Sequence, residues 1–541
     1  MARQTALRPR KKKTISRVLA MNLSKGLNNL VSSSLIDNRE FSEMLNIEYD
    51  EGGVARKRAG FVAVGTALTV AKGLGVLKTE SLNWLCTIDG TAFKYLTAGV
   101  WTTVSGATYT SGSEVVFTQA RNKIYVWNGV EGGSSWDGTT LTRPGTMPKG
   151  KFALFSNNVH LVAGVDGQRN RLYVSANDDS SMFTRNTLIL MDATEVPGAT
   201  VFTDATAPQA YFIDVRKDDG DQITGLARYA NTVIIFKRRS IYQLDFDSSG
   251  QPVITPITSA TGCLSHKSID SVENDVYFLS PEGIRVLGNE ANYDTAIRTN
   301  VLSIRIQNTI DSINPQYQTK CNALYYNNKY MLAIPTNSGD GNISKVITYD
   351  KRFAGYSLWD TIIPNSMVEY VDSTNTSHLY WMSDSGTQMY EVEQGRYNDN
   401  GAAIDAYVVS KAQDFGNIDI TKRFVDLGLA FRRLSGLISV TIYLDDNSSA
   451  GTVVLGSSGG TSGMGLGMFG TEMLGTAGAT STSSASTSDT VLRVVVNQSS
   501  RSLKFKIQNS RVDENFVFLG CIYGFYPRSH FNFDSANKIY I

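Results

Sequence analysis

Residues 233–247 read VIIFKRRSIYQLDFD: an apolar run, a charged turn at Lys237-Arg238-Arg239, then a run alternating apolar and polar around Tyr242. Period-two alternation on both sides of a short polar break is the mark of a β-hairpin. The same unit recurs in both directions. Toward the N-terminus it is RLYVS around Tyr173, KIYVW around Tyr125 and AFKYL around Tyr95; toward the C-terminus it is DVYFL around Tyr277, KYMLAI around Tyr330 and HLYWM around Tyr380. From Tyr95 to Tyr380 the mean interval is about 48 residues, the spacing of four-stranded propeller blades. The repeat therefore predicts an all-β chain with a propeller of six or seven blades.

Blade-like units are expected at 71–106, 113–148, 150–185, 220–262, 265–303, 317–361 and 364–411, with 186–219 an insertion or a distorted unit. DVYFLSPEGIRVLG (275–288) is a second clear hairpin, turned at Ser280-Pro281-Glu282-Gly283. Residues 37–62 carry a turn at Asp50-Glu51-Gly52-Gly53 and are read as an entry piece that completes the last blade, leaving no open sheet edge. Beyond Gln413 the strands lengthen: 423–433, 438–446, 491–498, 502–510 and 516–526 alternate cleanly and predict an antiparallel β-sandwich. The expected division is a basic arm at 1–36, a propeller at 37–411, a sandwich at 412–528 with a Gly/Ser/Met loop at 450–489, and a tail at 529–541.

Composition narrows the function classes. The 541 residues are 42% hydrophobic and 19% charged, ordinary globular values. No window supplies the roughly 18 uncharged apolar residues of a membrane helix. The basic N-terminus lacks the apolar core of a secretory signal. Cys86, Cys263, Cys321 and Cys521 form no CxxC pair and are read as small apolar residues in a reducing compartment. The net charge of +1 hides an asymmetry. Residues 1–36 hold Arg3, Arg8, Arg10, Lys11, Lys12, Lys13, Arg17 and Lys25 and no acid, so removing these eight charges leaves −7 on the remainder. Such an arm suits a polyanion or an acidic protein neighbour, or simply aids solubility. Only Phe41 and Tyr49 follow it at a distance, so no base-stacking platform is present.

Motifs for catalysis fail on context. Gly456-Ser457-Ser458-Gly459-Gly460 matches GxSxG, but it lies in a Gly/Ser tract with no helix after it, and nothing indicates a base among the four histidines. The GxGxxG at 465–470 has no following helix to hold a dinucleotide. Asp218-Asp219-Gly220-Asp221 lacks the EF-hand spacing and reads as a solvated turn. Asp384-Ser385-Gly386-Thr387 and Trp136-Asp137-Gly138-Thr139 read as blade turns. No enzyme, cofactor or metal is expected. The loop at 462–478 is more informative. Met464, Leu466, Met468, Phe469, Met473 and Leu474 sit on a glycine-rich backbone, a surface for packing on its own domain, on neighbouring subunits across a channel, or on a membrane.

Four stretches carry a resemblance. GLNNLVSSSLIDNREFSEMLNIEYDEGGVARKRAGF (26–61) resembles the opening of many tailed-bacteriophage structural proteins, with their Gly-Leu-Asn start and G-G-V-x-R-K-R-x-G-F turn. Segments 234–244 and 262–288 resemble their blades, and 422–433 resembles the start of their C-terminal sandwich. The class is that of the propeller-bearing tail-nozzle and packaged-DNA-stabilisation proteins of short-tailed phages. The resemblance implies a homo-oligomeric ring, expected to be a hexamer, below the head–tail adaptor and portal. It further implies contact with tail fibres or spikes, non-specific proximity to duplex DNA, possible host-envelope contact, and a place in the virion tail after assembly in the host cytoplasm. On that reading the basic residues would be a partner- or DNA-binding arm and the Met/Leu/Phe loop a channel gate or subunit contact. The alternative is a host-receptor module binding a surface glycan through Trp101, Trp127, Trp136 and Trp381. A depolymerising hydrolase is a third reading, for which the sequence places no carboxylate pair.

Overall fold

The structure is a computed structural model. It describes residues 15–527 apart from 22, 177–179, 181–182, 184–186, 190–209, 218, 247–251, 291–292, 337–338, 340, 417, 446–447, 457–466 and 469–489. The chain divides into two compact units: Ala59–Arg352 with Leu358–Asn400, and Met1–Arg58 with Phe353–Ser357 and Gly401–Ile541.

The first unit is a β-propeller. Blade one is Ala71–Lys78, Asn83–Asp89, Ala92–Thr97 and Val100–Thr108, and blade two is Val116–Ala120, Lys123–Trp127, Ser134–Trp136 and Leu141–Thr142. Blade three is Phe152–Ser156, Val159–Ala163, Arg171–Val174 and Tyr211–Asp214, with Thr187–Ile189 added in parallel. Its fourth strand thus comes from the stretch read as an insertion. Blade four is Ile223–Tyr229, Thr232–Lys237, Ile241–Phe246 and Pro252–Thr258, and blade five is Asp270–Val272, Asp275–Ser280, Gly283–Glu290 and Tyr293–Val301. Blade six holds Asn322–Tyr326, Lys329–Ile334 and Lys345–Asp350, and Trp359 enters its core. Each of these six blades draws its strands from one stretch of the sequence. A seventh sheet, Pro364–Val371, Ser377–Ser383 and Met389–Glu393, takes its fourth strand from Gly60–Val64.

Apolar residues weld each blade to the next. Leu77, Cys86 and Phe93 of blade one meet Ile124 and Trp136 of blade two; Tyr125 and Trp127 meet Ala153 and Val162 of blade three. Leu172 and Val174 meet Leu226 and Ile235 of blade four, whose Ile234 and Phe236 meet Val276 and Phe278 of blade five. Tyr277 of blade five lies edge-on to Tyr330 of blade six at 5.5 Å. Met331 and Val346 meet Leu379 and Trp381 of blade seven, and Tyr380 and Met382 return to Leu74 and Leu85 of blade one. The ring is closed by burial on every side, the dominant favourable term in folding.

The N-terminal closing strand is fixed in register by the pairs Met389↔Val64, Glu391↔Val62 and Glu393↔Gly60. Only Gly60–Val64 of the expected entry piece serves this role. The propeller unit is Ala59–Arg352 with Leu358–Asn400, and Glu40–Leu45 and Ala55–Lys57 pair within the other unit, with Ala406–Ser410 and Asn515–Pro527.

In that second unit one sheet runs Ile47–Tyr49, Ala55–Lys57, Asn515–Pro527, Lys422–Ser435 and Thr490–Ser500, with Ser16–Met21 also paired to Asn515–Pro527. The other runs Gly26–Leu27, Glu40–Leu45, Ala406–Ser410, Leu503–Asn509, Leu437–Leu444 and Ser448–Gly456. Burial in Leu503–Asn509 strictly alternates, and Phe505 from this sheet meets Phe518 and Tyr523 of the first at 6.0 and 6.3 Å. Two boundaries differ from expectation. Residues 448–456 form a strand, which takes in the first residues of the 450–489 loop, and 16–21 of the expected arm form a sheet edge.

The G-G-V-x-R-K-R-x-G-F turn now has a physical account. Gly53 has φ +74°, a conformation that suits glycine. The Lys57 ammonium, fully buried, donates to Asn509 Oδ1 at 2.8 Å and to the Arg511 carbonyl at 3.0 Å. Arg58, also fully buried, donates from Nε to Asn46 Oδ1 at 3.0 Å. A Cβ at Gly60 would lie 1.9 Å from the Asn398 carbonyl oxygen, so no larger residue fits without a shift. Phe61 enters the blade core.

Candidate functional site at the mouth of the propeller axis

The first strand of each blade starts on one face of the ring, and the turn between second and third strands returns to that face. Among the charged residues at or just before a first strand, four belong together. Lys72 is in Ala71–Lys78, Glu114 precedes Val116–Ala120, Lys267 lies in the 3-10 turn His266–Ser268 ahead of Asp270–Val272, and Lys320 precedes Asn322–Tyr326. Asp384 follows Ser377–Ser383 in the returning turn of blade seven. Five blades thus converge on one mouth.

Glu114 is the centre. Its Oε2 accepts from the Lys267 ammonium, and its Oε1 lies 3.8 Å from Lys72 Nζ. Blades two and five are far apart around a seven-membered ring, so the Glu114–Lys267 pair reaches across the axis. The Glu114 side chain is 47% exposed, whereas Lys72 and Lys267 are each 17% exposed. Burial pushes the Glu114 carboxyl upward, but Lys267, Lys72 and Lys320 outweigh it and hold the pKa below the usual carboxylate value. Asp384 goes the other way: burial raises it despite Lys72 and Lys320. Lys320 is positioned by the Gly341 carbonyl at 3.1 Å and the face of Tyr317 at 5.1 Å.

Of the neighbouring groups His266 adds no charge near pH 7, whereas Asp270 stays mostly ionised. His266, beside Lys267, is pushed down to about 4 by burial and is neutral near pH 7; the Leu226 amide lies 3.4 Å from its Nδ1. Asp270 is raised to about 6 by burial, and its carboxylate accepts from the Tyr325 and Ser271 amides. The mouth is therefore built to hold an anionic group on ammonium ions. No set of three metal-ligating side chains occurs among the described residues.

The sites read from sequence lie elsewhere. Arg17 sits in Ser16–Met21 with its guanidinium 3.6 Å from Asp426, which Arg493 also approaches at 3.4 Å. Lys25 donates to Asp37 at 2.6 Å. Arg3, Arg8, Arg10, Lys11, Lys12 and Lys13 lie outside the described residues, as do Met464, Leu466, Phe469, Met473 and Leu474. The backbone of Gly467–Met468 runs parallel to Val494 and Val495. Trp101, Trp127, Trp136 and Trp381 are 7%, 1%, 1% and 2% exposed, so none offers a face to a sugar. Lys237, read as part of a charged turn, is a buried strand end: its ammonium donates to Asp219 at 2.6 Å and to the Arg216 carbonyl at 3.1 Å. Asp221 is consumed by the same turn, accepting from the amides of Arg238 and Arg239. Asp137 likewise accepts from the Thr139 and Thr140 amides. All four cysteines are free and buried.

Sequence reasoning missed the axial cluster because its members are scattered over five repeats. A positional signal exists for three of them: Glu114, Lys267 and Lys320 stand just ahead of the first strands of their blades.

No family model matches the chain, and no curated protein matches it. Among solved structures it is similar to BamB from Moraxella catarrhalis, with 12% identity and a TM-score of 0.33 over 65% of this chain and 94% of that one. PorZ, a bacterial surface component of the type-IX secretion system of Porphyromonas gingivalis, is 11% identical with a TM-score of 0.35 over 73% of this chain and 46% of that one. The extracellular domain of a putative hybrid two-component system from B. thetaiotaomicron is 10% identical with a TM-score of 0.40 over 86% of this chain and 63% of that one. At these levels the likeness adds nothing to what the sheets themselves show: an all-β chain built around a propeller.

Proposed function

We propose that this chain is a structural virion protein of a bacteriophage tail, a nozzle or hub without enzymatic activity. Copies would form a ring that extends and closes the DNA channel, retains the packaged genome and permits its ejection. One observation carries the reading: the stretch resembling phage structural proteins falls on residues with defined fold roles. Gly53, Lys57, Arg58, Gly60 and Phe61 are a left-handed turn, two fully buried cations, a close backbone approach and a core aromatic. A resemblance at such positions is one of architecture rather than composition. A propeller closed by its own N-terminal strand also suits a wall element, since it leaves few sheet edges for unintended pairing. On this reading the second unit is a β-sandwich, and the basic arm engages the adaptor, portal or DNA. Glycan binding through the four tryptophans finds no support, because all four are core residues.

The test is electron microscopy of particles assembled after deletion of the gene in a phage that carries it. Empty or leaking heads lacking the distal tail are the expected result. Complete, DNA-filled particles that fail to adsorb would overturn it in favour of host recognition.

A further inference from the structure

We infer that the axial mouth of the propeller is a binding site for a small dianion of the phosphate type, with Glu114 as its internal placeholder. Two ammonium groups from two blades, Lys267 and Lys72, pair with one carboxylate, and the charge of Lys320 from a third blade adds to them. Each is pre-positioned: Lys72 by its strand, Lys267 by a 3-10 turn, Lys320 by the Gly341 carbonyl and the Tyr317 ring. Among the described residues, the groups acting most strongly on Glu114 are these three cations, and Asp384 is acted on by Lys72 and Lys320 as well.

Glu114 is the displaceable member. It lies outside the strands, between Val100–Thr108 and Val116–Ala120, and its side chain is the most exposed of the ion-paired groups here. An incoming single carboxylate would gain nothing, because Glu114 already presents one tethered at high effective concentration. A dianion with more acceptor oxygens does gain, since it satisfies several ammonium groups. A DNA backbone phosphate is singly charged and embedded in a broad rod, so the same argument excludes it. The inference does not depend on the virion reading.

The experiment is isothermal titration of inorganic phosphate into the full chain, with chloride at matched ionic strength as the control. The wild type is expected to bind weakly. Glu114→Gln is expected to bind about tenfold more tightly and Lys267→Gln about tenfold more weakly. Lys320→Gln, which leaves the Glu114–Lys267 pair in place, is expected to weaken phosphate binding as well. Circular dichroism checks that each variant is folded. If Glu114→Gln does not fold, the wild type against Lys320→Gln decides. Absence of phosphate binding by the wild type and by any folded Glu114→Gln protein overturns the inference, as does binding that is indifferent to both lysine substitutions.

Discussion

Phe61 and Trp381 meet edge to face, ring centroids 5.0 Å apart and planes at 89°, although they come from the two ends of the propeller sequence. Tyr390 completes the group, 4.9 Å from Phe61 and stacked on Trp381 at 4.6 Å. This aromatic trio closes the ring. Phe61→Ala should cost about 3–5 kcal/mol, the usual loss for a buried aromatic. Urea unfolding monitored by tryptophan fluorescence would show it. A loss below about 1 kcal/mol would mean that the backbone pairs, not the rings, hold the closure.

Gly60 tests the same closure through the backbone. Its amide donates to the Arg396 carbonyl at 2.7 Å, and a methyl group would collide with the Asn398 carbonyl. Gly60→Ala should destabilise by roughly 1–3 kcal/mol. Limited proteolysis should then show earlier cleavage around residues 60–64 than in the wild type.

Lys237 and Asp219 form a pair in which one charge is wholly buried and the other is 28% exposed. Burial lowers the Lys237 pKa, and Asp219 opposes the shift. Asp219→Asn strands an ammonium in the interior and should cost about 3 kcal/mol. Lys237→Met removes the buried charge itself and should cost less. Thermal denaturation of the two variants gives the order, and the reverse order would refute the account.

The histidines predict opposite pH limbs. Burial holds His160 down at about 3 and His266 at about 4, so below pH 6.5 the unfolded chain takes up protons that the fold refuses. Each should remove up to about 1.4 kcal/mol of stability per pH unit on acidification toward those values. For His378, burial acts downward, but hydrogen bonds with Glu391 at 2.7 Å and Asp372 at 3.3 Å win and raise its pKa. Its contribution is complete below pH 6.5 and is lost as pH climbs through the raised value. Denaturant unfolding across pH 4.5–8.5 should show a flatter acid limb for His160→Phe and a flatter alkaline limb for His378→Gln.

The tyrosine repeat located the blades but not the strand within each. Tyr125, Tyr277, Tyr330 and Tyr380 lie on second strands, whereas Tyr95, Tyr173 and Tyr242 lie on third strands. Both central strands are buried on two faces, and one apolar pattern serves either. The long strands of the second unit were legible to within a few residues because burial in Leu437–Leu444 and Leu503–Asn509 has period two. The unit boundary was not, since pairing of residues 40–57 with partners beyond 400 leaves no local trace. Nor was the burial of Lys237, whose partner Asp219 lies on the other side of an entire β-strand.

Closure by Gly60–Val64 also sets a schedule for synthesis. That strand leaves the ribosome before any blade exists, and its partner Met389–Glu393 emerges only after six blades have been made. At roughly 5–20 residues per second, the nascent chain carries an unpaired apolar strand for on the order of tens of seconds. The last blade cannot form early, so misassembly between neighbouring nascent chains is a hazard confined to that interval and ends when residue 393 is released.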